Sequence, residues 1–299
     1  MSQKLGALTN GFTPQTVEFP SGDGTVVAHL YLPQNHDASK RYPAVAIGGS
    51  FSSVKEQMSG IYAGEMARRD VIGLAIDYRN YGESSGTVRQ YEDPKSKAAD
   101  MSAALRFLES RSDVSGAGLL GVCTSGTTVI EAAAYDQSVR SVAAVAGAYF
   151  EPGLIPHADR RREEGRVARE KYEKTGAADT IPAYHPYSRK AVNTVPMPYY
   201  LSSKRGNVPT WRNEFAVMAW ADMLSADAVA NASKVTAPTL MIHSKAASYP
   251  GQARKVHQAL AGPKELFWGK GQHFSFYDHP AQVHRTADRL SAHFKATLS

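Results

Sequence analysis

The sequence predicts an α/β protein: a mostly parallel central sheet with helices on both faces and a helical insertion late in the chain. Three observations carry this. From Ala44 onward, short apolar runs alternate with amphipathic helical patterns, as in strand–helix–strand units that build a parallel sheet. Around Cys123 one such unit reads as a short strand, a sharp turn and a helix. From Phe150 to about Ser233 the alternation stops and the chain becomes charged, then rich in Pro and aromatics.

Taken in order, Thr16–Phe19 and Val26–Leu32 flank the polar turn Ser21-Gly22-Asp23-Gly24 and read as a hairpin. Ala44–Ile47 is a buried parallel strand ending in Gly48-Gly49-Ser50-Phe51-Ser52-Ser53. Ser53 and Glu56 have capping-box spacing, which predicts a helix carrying Met58, Ile61, Tyr62 and Met66 on one face. Val71–Ile76 is the next strand. Asp93-Pro94 opens a helix with Ala98, Met101, Leu105 and Leu108 turned to the sheet. Ala117–Val122 leads into the turn at Cys123, Thr127–Tyr135 is helical, and Val142–Ala146 is a strand. After the insertion come strand Thr239–His243, a helix over Gln252–Leu260, strand Glu265–Trp268 and the loop Gly269–His279. A last helix turns Val283, Ala287, Leu290 and Phe294 inward. The chain therefore divides into core residues 1–149 and 234–299, interrupted by a helical cap over 150–233.

The chain has 299 residues, enough for one such domain with an insertion, and 42% apolar residues is ordinary for a globular protein. Met1–Phe12 has no apolar leader-type segment, and no run is long enough to span a bilayer. One cysteine excludes an internal disulfide and suits a reducing, cytoplasmic setting. The net charge of +6 raises nucleic acid as a partner. Much of the basic density, however, lies in Asp159–Lys174, where seven Arg and Lys mix with five Asp and Glu. Spacings such as Glu170/Lys174 mark a solvated helix face and not a phosphate-binding stripe. No nucleic-acid or membrane partner is expected. Neither metal-ligand spacing nor a Gly-rich phosphate loop occurs, so no metal or cofactor is expected either.

Gly121-Val122-Cys123-Thr124-Ser125-Gly126 is a variant of the G-x-S-x-G nucleophile elbow, with Cys123 at the tip. The turn brings strand and helix backbones together, so small residues are needed two positions either side. Gly121 and Ser125 meet that need better than Cys123 and Thr127 would around Ser125. The tip also lies at a helix N-terminus, where N–H groups and the dipole favour a thiolate. With the strand order and the cap, this specifies an α/β-hydrolase fold. In that fold the histidine follows the last strand, which selects His273; His243 is the rival. The usual acid site follows Thr239–His243, but Ser244–Ser248 has no carboxylate. Glu151, just past Val142–Ala146, is the best substitute by topology, and a Cys123–His273 dyad is coherent without it. The oxyanion hole should combine the Thr124 N–H with one from Ser50 or Phe51.

The chain resembles cap-bearing α/β-hydrolases of the dienelactone-hydrolase-like and Xaa-Pro-peptidase-like group, from about Thr16 to the last helix. Four blocks carry the resemblance: Gly49-Ser50-Phe51-Ser52-Ser53-Val54-Lys55-Glu56-Gln57-Met58, Asp77-Tyr78-Arg79-Asn80-Tyr81-Gly82-Glu83-Ser84, the elbow, and Pro238-Thr239-Leu240-Met241-Ile242-His243-Ser244. The resemblance implies a hydrolase of esters, lactones or related acyl compounds, and dienelactone hydrolases are similar in using an elbow cysteine. It also implies a structural role for a residue at His243.

The expectation is thus a cysteine-dependent hydrolase of an ester, lactone or thioester, acting on a small acyl substrate through an acyl-cysteine. An acceptor other than water would make it an acyltransferase or cyclase, as in natural-product tailoring. A ligand-binding homologue without turnover, or a lyase using His273 alone, are the rivals. The oligomeric state is open, with a homodimer among the options.

Overall fold

The computed structural model describes residues 12–299. The expectation for Met1–Phe12 lies, apart from Phe12, outside the described residues. The hairpin forms as predicted from β1 (Gln15–Ser21) and β2 (Gly24–Tyr31), with Ser21 opposite Gly24 across the turn. β3 (Tyr42–Gly48), β4 (Ile72–Ile76), β5 (Val114–Val122) and β6 (Val142–Val145) follow. β7 (Thr180–Ile181) and β8 (Phe215–Ala216) make a separate ribbon, and β9 (Thr239–Ala246) and β10 (Lys264–Gln272) complete the main sheet. Its order is β1-β2-β4-β3-β5-β6-β9-β10, with β2 alone antiparallel to its neighbours.

The helices are α1 (Met58–Ala67), α2 (Pro94–Glu109), α3 (Ser125–Tyr135), α4 (Ala158–Thr175), α5 (Pro198–Leu201), α6 (Trp220–Met223), α7 (Ala228–Ala232), α8 (Pro250–Ala259), α9 (Ser275–Asp278) and α10 (Pro280–Leu298). Every residue of β4 and β6 is buried, as expected of strands covered on both faces. One face packs on α1 and α10 through Ile61, Met66, Leu290 and Phe294. The other packs on α2, α3 and α8 through Met101, Leu105, Ile130 and Val256. Burying each such side chain contributes about 1.5–3 kcal/mol. Asp93 caps α2 by accepting the Lys95 N–H at 3.0 Å, with Pro94 in the first turn. The helices between β6 and β9 form the cap.

Several expectations are corrected. The Ser53/Glu56 capping box does not form: α1 starts at Met58, and its cap residue Gln57 makes no side-chain capping bond. Ser53 Oγ instead donates to the Ser50 carbonyl at 2.8 Å, and Glu56 turns to Lys55 at 3.0 Å. The cause is tertiary, because the Lys55 N–H donates to buried Asp77 at 2.6 Å and holds this segment as a loop. β10 runs on through the predicted loop to Gln272, with a register shift between Gly269 and Gln272. The insertion, read without strands, contains the β7–β8 ribbon. Along α4, where only Gly165 and Ala168 are buried, Glu170 pairs with Arg166, which lies one turn before it. Among the described residues no helix is long and apolar enough to cross a membrane.

Candidate active site

The carboxyl ends of β3, β5, β9 and β10 converge under the cap, the edge at which open α/β sheets bind ligands. β5 delivers the chain to Cys123, whose φ is +57°. A left-handed L-residue costs about 1–2 kcal/mol, so the surroundings must over-determine the turn. Three bonds do so: the Cys123 N–H donates to the Val145 carbonyl (3.1 Å), and its own carbonyl accepts from Gly126 and Ala148 (2.8 Å each). A Cβ on Gly121 would sit 2.1 Å from the Ser125 carbonyl oxygen. That is the close backbone approach the small-residue spacing predicts.

Ser125 does not face the reaction space. Its Oγ donates to the Gly49 carbonyl and accepts the Tyr78 hydroxyl at 2.7 Å, and it is fully buried. The hydroxyl thereby pins the Gly48–Gly49 turn against the elbow. Gly48 has no alternative here, because a Cβ would lie 1.9 Å from the Tyr78 oxygen.

The Cys123 side chain is 9% exposed and borders a cavity. Burial pushes its thiol up to about 11, while the Tyr277 hydroxyl and the Thr124 and Phe51 N–H groups favour the anion. So the sulfur lies where both N–H donors converge, yet desolvation outweighs them. The expectation of a thiolate is corrected to a thiol at rest. Of the two candidates on the β3 loop, Phe51 turns its N–H to the sulfur. Ser50 is fully buried with its hydroxyl bonded to Tyr200.

His273 follows β10 and places Nε2 3.3 Å from Cys123 Sγ and 3.0 Å from the Tyr277 hydroxyl. Its Nδ1 accepts the Ser248 N–H at 3.3 Å, which assigns the ring proton to Nε2 in the resting state. Burial, then the neighbouring His243, lower its pKa to about 4. Glu151 is elsewhere: its carboxylate takes Lys255 Nζ at 2.6 Å and Gln252 Nε2 at 3.3 Å. The position expected of Glu151 is occupied by a backbone amide. His243, 1% exposed, directs its ring nitrogens to the carbonyls of Ser244 (2.9 Å) and Gly147 (3.2 Å).

Sequence reasoning missed Tyr277, which lies one turn after His273 and is fully buried. Spacing of four residues was the available signal, but the segment read as a loop. It also left the cap aromatics unassigned. Tyr184 stacks on Tyr200 at 4.1 Å and gives its hydroxyl to the Phe51 carbonyl at 3.0 Å, so both brace the β3 loop. Trp211 Nε1 reaches Ser52 at 3.3 Å. Tyr187, by contrast, is 91% exposed. The cavity beneath has a volume of about 380 Å³ and is lined by Phe51, Phe150, Met197, Tyr200, Met223 and Phe274 among others. That volume suits a small organic ligand.

His29, Glu56 and Glu83 bring ligand atoms within 4.8 Å of one another. Lys55, fully buried, already fills that cluster with Nζ at 3.0 Å from Glu56, 2.5 Å from Glu83 and 2.8 Å from Asp77. Burial opposes its charge, but the carboxylates outweigh it and raise its pKa. The ammonium does what a cation would do there, so the cluster is a poor metal site. It anchors the loop that carries Phe51.

The sequence profile of the alpha/beta hydrolase family matches residues 48–286, which span every residue of this site. The uncharacterised protein PA2218 of Pseudomonas aeruginosa is 29% identical over 291 residues, covering 92% of this chain and 78% of its own. Its crystal structure matches with a TM-score of 0.87 at 27% identity, covering 100% of this chain and 98% of that one. Thiohydrolase aneE of Aspergillus aculeatus is 35% identical over 150 residues, 48% of this chain and 46% of its own. Acyltransferase drtE of Aspergillus calidoustus is 29% identical over 143 residues, 47% of this chain and 45% of its own.

Proposed function

The chain belongs to the alpha/beta hydrolase family, and from that premise we propose that it cleaves an acyl thioester or activated ester through an acyl-Cys123 intermediate. The observation that carries this is the 3.3 Å contact between Cys123 Sγ and His273 Nε2 at a left-handed elbow, with the Thr124 and Phe51 N–H groups on the sulfur. The sulfur attacks the acyl carbon while its proton passes to Nε2. The carbonyl oxygen becomes an oxyanion held by the Thr124 and Phe51 N–H groups. Collapse breaks the bond to the leaving group, which takes the proton from Nε2. Water then attacks the acyl-Cys123 carbonyl, losing its proton to Nε2, and the thiol is restored as the acid leaves.

For Nε2 to accept a proton, the ring must adopt the tautomer with its proton on Nδ1. That gives up the 3.3 Å bond from Ser248, at a cost of about 1 kcal/mol. Among the described residues no carboxylate then supports the imidazolium, which makes the base weak. A thioester suits such a site, since one thiolate displaces another and a thiol leaves far more readily than an alcohol. The name of the thiohydrolase relative, matched across 48% of this chain, supports that choice. The acyltransferase relative supports a second reading in which a hydroxyl or carbon nucleophile, as in natural-product tailoring, discharges the same intermediate.

The test is intact-protein mass spectrometry after incubation with a panel of acyl thioesters and activated esters. Wild type should gain one acyl group, and Cys123→Ala should gain none. Activity retained in Cys123→Ala would leave His273 as the base of a non-covalent reaction. A thiol that neither acylates nor alkylates would make the protein a ligand-binding homologue.

A further inference from the structure

The cavity over Cys123 contains one uncompensated cation. Among the described residues Arg161 is the sole Lys or Arg that lines it, and no Asp or Glu does. The guanidinium lies 4.3 Å from the Trp220 ring centre, and among the described residues it makes no ion pair. Glu164, which influences it electrostatically, is engaged by Arg160 at 3.4 Å. Held over an indole, the guanidinium makes no side-chain hydrogen bond among the described residues. Beside it on the cavity wall is Tyr249, 37% exposed, whose backbone is left-handed at φ +57°. Among the described residues its hydroxyl has no hydrogen-bond partner, and it lies within electrostatic reach of Arg161 and of the Cys123 sulfur. Ile155 and Pro156, which lead into the N-terminus of α4, line the same wall, so the dipole of an 18-residue helix adds to the positive field.

A partly buried cation without a counter-ion is costly, and a guanidinium is the group best shaped to take two oxygens at once. We propose that Arg161 and Tyr249 form a subsite for an anionic oxygen group of the substrate, a carboxylate on the acyl chain or a phosphate on the leaving group. Arg161 takes the group bidentately, Tyr249 donates a further hydrogen bond, and the neutral part of the chain lies along Phe150, Met223 and Tyr200. The substrate class narrows from acyl thioesters in general to anionic ones. This rests on the acyl-Cys123 reading.

Three thioesters separate the possibilities: N-acetylcysteamine thioesters of hexanoic acid and of adipic acid, which differ in a terminal carboxylate, and hexanoyl-coenzyme A, which carries phosphates. Wild type should act on one of the anionic pair with kcat/KM about tenfold above the neutral compound. Which one it is identifies the source of the anion. Arg161→Gln should bring that ratio near one, Arg161→Lys should keep part of it, and Tyr249→Phe should lower it several-fold. Equal rates on all three substrates in wild type, or a ratio unchanged in Arg161→Gln, overturns the subsite. If no thioester loads Cys123, the acyl-enzyme reading fails by itself. Binding of adipate and of coenzyme A, followed by tryptophan fluorescence, then decides the subsite: saturable quenching abolished in Arg161→Gln supports it, and no binding of either overturns it.

Discussion

The Ser248 N–H faces Nδ1 of His273 from 3.3 Å, on the side of the ring where a triad acid would accept a proton. A donor in that place reverses the polarity of the third group. It stabilises the neutral ring and gives nothing to the cation. With burial, this leaves His273 a weak base beside a thiol that burial pushes up to about 11.

The pH profile follows from those two groups. In the proposed mechanism His273 acts neutral, and its pKa is lowered from 6.5 to about 4. Acylation kcat/KM should therefore stay level from pH 8 down to about 5 and fall only below that, where an unperturbed histidine would fail below about 6.5. The same shift sets a stability window. The unfolded ring binds a proton below 6.5 and the folded one only below about 4, so stability is full above 6.5 and declines as pH falls toward 4. An acylation limb near 6.5 would show that burial does not depress the titration of His273. Alkylation of Cys123 in His273→Ala should rise about tenfold per pH unit toward pH 11.

Glu151→Gln tests the sequence-based choice of acid. The carboxylate is bonded to Lys255 and Gln252, so the substitution should change kcat/KM by less than about twofold, as for most surface changes. A loss of a hundredfold or more would mean that Glu151 reaches His273 during turnover.

Tyr277→Phe removes the hydroxyl 3.0 Å from His273 Nε2 and in contact with the sulfur, while keeping the buried ring. We expect kcat to fall about tenfold with KM little changed, because the lost bond orients the reacting groups and touches no distant part of the substrate. Thermal denaturation should show little change, since the ring packing remains.

Much of this was legible in the sequence, for reasons particular to each residue. Cys123 stood out because a left-handed turn between strand and helix demands small residues two positions away, and Gly121 has no room for a Cβ. His273 was found by its place after the last strand. The partner of Nδ1 was invisible, because a backbone amide can come from any residue type and leaves no mark at Ser248. Tyr277 was hidden by reading its short helix as a loop. Ser53 and Glu56 have a sound local pattern that failed because the buried Lys55–Asp77 pair, formed between segments 22 residues apart, outweighed a cap.

Ser125→Ala should separate support of the oxyanion loop from nucleophilicity. The hydroxyl bridges the Gly49 carbonyl and the Tyr78 hydroxyl inside the core. Removing it strands the Gly49 carbonyl away from water and leaves the Tyr78 hydroxyl with Thr128, at a cost of about 1–3 kcal/mol in unfolding free energy. The same bridge fixes the Gly48–Gly49 turn from which the Phe51 N–H reaches the Cys123 sulfur. Turnover should fall further than stability explains, by about tenfold or more in kcat, as when an oxyanion donor is misplaced. Cys123 and His273 are untouched, so alkylation of the thiol should proceed at the wild-type rate. If Ser125 were itself the nucleophile, the variant would lose acyl loading altogether and the acyl group of wild type would map to Ser125 by peptide mass spectrometry. Loading of Cys123 that survives at a reduced rate is the result that fits a bridging hydroxyl.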